Sequence, residues 1–135
     1  MMRKRIVWIA ALAVYAGAIF FISGVPLDER PPLLAFPKSD GLLHAMEFAL
    51  FFFLARKATG KTALALLLTV VYAGSDELHQ AFVPSREASL ADFGFDILGA
   101  LVAAIARTVT RRHSLLPATR RRILAIRVSE KEKGN

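Results

Sequence analysis

Three short stretches of this chain carry most of the side chains able to do acid–base or metal chemistry. Asp40, His44 and Glu47 are spaced i, i+4 and i+7, so on a helix they share one face. Asp92, Asp96 and Gly99 repeat that spacing further along. Between them, Asp76, Glu77, His79 and Gln80 fall within two helical turns, and Arg86 and Glu87 follow at once. Carboxylates and imidazoles take up and return protons, and they are also ligands for divalent cations. The spacings match no recognised metal or cofactor-binding motif, so metal and cofactor are unknown from the sequence.

The elements that must position these groups are read from long apolar blocks. Hydrophobic residues make up 55% of the 135 and mean hydropathy is +0.45, both high for a soluble domain. The blocks run from Ile6 to Ile22, from Asp40 to Ala58, from Thr62 to Val83 and from Ser89 to Val109. At about 1.5 Å per residue even the first spans roughly 25 Å, enough for a short transmembrane helix. A cleaved signal peptide begins in the same way, with basic residues before an apolar run. Here Phe20, Phe21 and Ile22 make a poor cleavage site, and an uncleaved span is expected. Prolines 26, 31, 32 and 37 mark the first loop, Pro84 closes the third block, and Ser89 with Asp92 resembles a capping box opening the fourth.

The expected fold is therefore all-α: a polytopic bundle of four transmembrane helices over residues 1–110. A basic tail over 111–135 would be either an interfacial helix or disordered. With the N-terminus inside, Arg3, Lys4, Arg5, Arg56, Lys57, Lys61, Arg107 and every basic residue beyond it are cytoplasmic. Only Arg30, Lys38 and Arg86 lie outside. That bias predicts both termini in the cytoplasm of a cytoplasmic membrane. The net charge of +7 is spread along the flanks of spans, where it meets anionic lipid, and no nucleic-acid motif accompanies it; the bilayer is the expected partner. Cysteine is absent, which excludes disulfide and thiolate chemistry.

This topology puts all three polar stretches near the outer face. A charge at mid-bilayer costs about 2.5–3.5 kcal/mol, so groups sharing a face are expected to meet in a small wet pocket. Glycines 74, 94 and 99 are expected to let the helices close on it. The outer ends of the second and fourth helices are N-termini, which favour carboxylates, whereas that of the third is a C-terminus. Asp76 and Glu77 must then be bridged to Arg86, protonated, or neutralised by a bound cation. Blander roles stand beside these: Arg86 as a loop salt bridge, His79 and Glu87 as solvated interface groups, and Asp76, Glu77 and Asp92 as a network that only fixes packing. The run Phe48, Phe51, Phe52 and Phe53 is expected on lipid or the core surface. Tyr72 could reach Asp76, though simple packing is the safer expectation.

The run from Asp76 to Arg86 (DELHQAFVPSR), followed by Ser89, Asp92, Asp96 and Gly99, resembles the signature of the VanZ-like family. Asp40, His44, Glu47 and Phe48 resemble that family's other motif. The likeness covers residues 6–110. It departs at Gly41, where the family often has lysine, and at Ser85, where it often has glycine. The resemblance implies a polytopic bacterial membrane protein; the family's named member confers low-level teicoplanin resistance, and no reaction comes with it. Two classes of function are open. In one, Asp40, His44, Glu47, Asp76, Glu77, His79, Gln80, Arg86, Asp92 and Asp96 form a catalytic or binding pocket for an amphipathic envelope lipid or glycopeptide-like ligand. In the other the protein is a non-catalytic transporter, which would have to self-associate, or a structural envelope component. The apolar inner halves of the third and fourth helices count against a proton path.

Overall fold

The computed structural model describes residues 2–26 and 41–133 of the chain. They form four helices: α1 (Met2–Ser23), α2 (Gly41–Thr59), α3 (Thr62–Gln80) and α4 (Leu90–Lys133). The first 104 residues make one compact unit, and Ile105–Asn135 a second. Asp40 lies outside the described residues.

Local chemistry sets most of the boundaries. Gly60 takes φ +75°, which a residue with a Cβ resists, and its N–H bonds the Arg56 carbonyl to close α2. Ser89 Oγ accepts the Asp92 N–H at 3.1 Å and so caps α4, as expected. The reciprocal half of the capping box does not form: the Ser89 N–H goes instead to Glu77 Oε2 on α3, at 2.7 Å.

Two boundaries differ from expectation. α3 ends at Gln80 rather than Val83, because Phe82 and Val83 bond back three residues, to the carbonyls of His79 and Gln80, and tighten the chain into turns before Pro84 is reached. α4 runs to Lys133 rather than stopping near Val109. The residues beyond Thr110 are rich in Arg, Lys, Leu and Glu, which sustain a helical backbone whatever their hydropathy.

Within residues 2–104, α1 and α2 run antiparallel. Arg5 Nε donates to the Ala58 carbonyl (3.1 Å), Trp8 meets Phe53 edge-on, and the Tyr15 hydroxyl donates to the Glu47 carbonyl (3.2 Å). α3 runs alongside α1: the Tyr72 hydroxyl donates to the Ala16 carbonyl at 2.5 Å, not to Asp76. The core is made of small residues and three rings. Ala55, Ala65, Ala73 and Ala100 are fully enclosed with Phe48, Phe51 and Phe52, so the phenylalanine run splits, and only Phe53 faces outward. Large apolar side chains coat the exterior instead, among them Val14, Leu50, Leu67, Val71 and Val102. Two of the four helices, Met2–Ser23 and the stretch Leu90–Arg112, have the length and hydropathy of a membrane span.

Candidate functional site

The polar residues gather at the end of the bundle where α1 and α3 finish and α2 and α4 begin. They sort into two centres. His44 from α2, Glu77 from α3 and Asp96 from α4 form the first, each offering one ligand-type atom, all within 4.8 Å of one another. His44 Nδ1 lies 3.0 Å from Asp96 Oδ1. Asp96 is 1% exposed and Glu77 7%. Each carboxylate is anchored through one oxygen, Asp96 by His44 and Glu77 by the Ser89 N–H. Asp96 Oδ2 and Glu77 Oε1 are buried with no hydrogen-bond partner.

Asp76 belongs to the second centre. Its Oδ1 accepts from Ser23 Oγ at 2.6 Å and its Oδ2 from Gln80 Nε2 at 2.7 Å, so both oxygens are satisfied in a link between α1 and α3. Asp76 and Glu77 point to different centres because successive helix residues are turned by about 100°. Gln80 rejoins Asp76 one turn later.

His79 joins neither centre. Its ring stacks on Phe20 with centroids 4.0 Å apart, and Nε2 is buried without a partner. Nor does Arg86 form the expected bridge to Asp76 or Glu77 among the described residues; its Nε is buried and unpartnered. Hydroxyl, amide and backbone N–H groups stand where the guanidinium was expected. Glu47 and Asp92 are half-buried on the faces that carry His44 and Asp96, and Glu87 is exposed in the loop. Ser23 is the functional-end residue that sequence reasoning missed. The only signal for it was a hydroxyl closing the first apolar block at the depth of Asp76.

Close packing places the first centre. A Cβ on Gly99 would sit 1.9 Å from the Ala45 carbonyl oxygen, so α4 lies directly against the α2 backbone beside His44. The other two glycines expected at helix crossings are not: Gly94 has nothing within 4 Å, and Gly74 would make only an ordinary contact with Phe93. Gly41 does this work instead, because its missing side chain leaves the space filled by the Phe95 ring. Ser85 holds φ +60°, the left-handed conformation that explains a preference for glycine there.

Fold and site together define a helical bundle with an apolar exterior and an imidazole–carboxylate centre contributed by three helices. The chain belongs to the VanZ/LLP1 family, whose model matches residues 7–111. No curated protein and no solved structure matches the chain.

Proposed function

We propose that this is a four-span protein of the cytoplasmic membrane, with both termini cytoplasmic, whose His44–Glu77–Asp96 pocket binds or acts on an anionic, amphipathic envelope lipid. The observation that carries the reading is the meeting of three ionisable side chains from three helices, two of them buried carboxylates. Burying such groups is costly unless they serve one another or a ligand.

Several features support the membrane setting. The exterior is largely apolar while Asp76, Glu77 and Asp96 are inside, the reverse of a water-soluble bundle. The helix contacts rest on alanine and glycine, which suits association in lipid, where apolar side chains gain little by leaving solvent. Arg5, Arg56 and Lys57 cluster at the end opposite the carboxylates, and Lys57 lies 5.3 Å over both the Trp8 and Phe53 rings. Basic residues favour the cytoplasmic side, so the pocket falls near the outer leaflet. In this reading Arg86, on the loop before Ser89 and with an Nε that has no hydrogen-bond partner, pairs with a phosphate or carboxylate headgroup.

The test is a deletion strain complemented with wild type, His44→Ala, Glu77→Gln or Asp96→Asn, followed by profiling of envelope lipids and their precursors. Wild type restores the profile, and the variants, present in the membrane at equal amounts, do not. If they restore it as well as wild type, the proposed role is wrong. Solute uptake into proteoliposomes that depended on Asp96 would replace it with a transport role.

A further inference from the structure

We propose that His44, Glu77 and Asp96 hold a divalent metal ion. This deepens the reading above by naming what the pocket binds first, and rests on it for the choice of these three residues as the working centre.

Three observations converge on a cation. The donor atoms come from three different helices yet lie within 4.8 Å of one another. An ion about 2.1 Å from each donor draws such atoms to roughly 3–3.5 Å apart, a change within reach of small side-chain rotations. Two carboxylate oxygens, Glu77 Oε1 and Asp96 Oδ2, are buried and have no hydrogen-bond donor, although both side chains are more than nine-tenths enclosed. A buried acceptor without a partner costs about 1–3 kcal/mol, and more when charged. Finally, the opposite oxygen of Glu77 is already held from outside the trio, by the Ser89 N–H. Such an outer contact orients a ligand before the ion arrives.

Charge points the same way. Two carboxylates sit together, and among the described residues Arg86 forms an ion pair with neither. A neutral imidazole, two carboxylates and one divalent ion sum to zero, the arrangement that tolerates burial. One nitrogen and two oxygen ligands suit Zn²⁺, Mn²⁺ or Fe²⁺ better than Ca²⁺, which prefers more oxygens, or a copper site built on thiolates. Three protein ligands leave coordination positions open for water and for a headgroup oxygen, as in catalytic rather than structural sites.

The experiment uses the full chain purified in detergent, stripped with a chelator and passed through gel filtration. Zn²⁺ and Mn²⁺ are added separately, with bound metal measured by mass spectrometry and affinity by calorimetry. Wild type is expected to retain one ion per chain. His44→Ala and Asp96→Asn are expected to bind at least about 100-fold more weakly. Glu77→Gln, which keeps an acceptor for the Ser89 N–H, serves as the ligand variant least disturbing to the fold. Asp76→Asn and His79→Ala, which lie outside the trio, should bind like wild type. The site is overturned if wild type binds neither ion stoichiometrically, or if folded His44→Ala, Glu77→Gln and Asp96→Asn bind as tightly as wild type. The two proposals fail separately. No metal but a lost lipid profile in His44→Ala sinks only the ion, whereas bound metal with an unchanged profile sinks only the lipid role.

Discussion

Replacing Gly99 by alanine tests whether the closeness of α2 and α4 builds the centre. The added Cβ would lie 1.9 Å from the Ala45 carbonyl oxygen and 2.6 Å from its carbonyl carbon, both backbone atoms that no rotamer change can move. Ordinary contact needs above 3 Å, so the helices must part by roughly 1 Å or more. Asp96 is one turn before Gly99 and His44 is next to Ala45. Their 3.0 Å contact would therefore stretch to about 4 Å, beyond hydrogen bonding. Overpacking costs about 1–3 kcal/mol, and losing a hydrogen bond to a charged group adds about 1.5–3 kcal/mol. Thermal unfolding in one detergent, with the envelope profile as the functional readout, measures both consequences. Gly94→Ala is the control, on the same helix with nothing within 4 Å. It should be neutral or stabilising by up to about 1 kcal/mol, since alanine is the better helix former. A Gly99→Ala variant that melts within about 0.5 kcal/mol of wild type and keeps the profile, or an equally damaging Gly94→Ala, would refute the close approach of α2 and α4 as the builder of the centre.

Three other substitutions probe neighbouring features. Ser85→Gly should raise the unfolding midpoint, because φ +60° costs a non-glycine residue about 1 kcal/mol; an unchanged or lower midpoint counts against a left-handed Ser85. Asp76→Ala should lower stability by about 1–3 kcal/mol, by stranding Ser23 and Gln80, while metal affinity stays that of wild type; a folded Asp76→Ala that loses the ion would show the two centres to be one. Gly41→Lys should destabilise by about 1–3 kcal/mol by displacing the Phe95 ring, whose carbons lie 2.4 Å from the new Cβ. The double variant with Phe95→Ala should recover part of that loss, and strict additivity in the melting data would contradict the contact.

Much of this architecture is local and was therefore legible in the chain. Four apolar blocks with basic residues at one set of ends mark four helices, since an apolar segment satisfies its backbone most simply as a helix. The i, i+4 and i+7 spacing put Asp96 and Gly99 on one face of α4, and that is the face pressed on α2. The cap at Ser89 was readable for the same reason, being a contact over three residues.

What the chain alone could not decide was which polar group meets which. Asp76 and Glu77 are neighbours with nearly the same chemistry, and only the placement of three other helices sends one to Ser23 and the other to His44 and Asp96. The same holds for the glycines: a missing side chain looks identical at 94 and 99, yet only 99 has another backbone against it. Helical periodicity determines the face a residue occupies. The partner across that face is set by how helices far apart in sequence pack, a property of the assembled bundle.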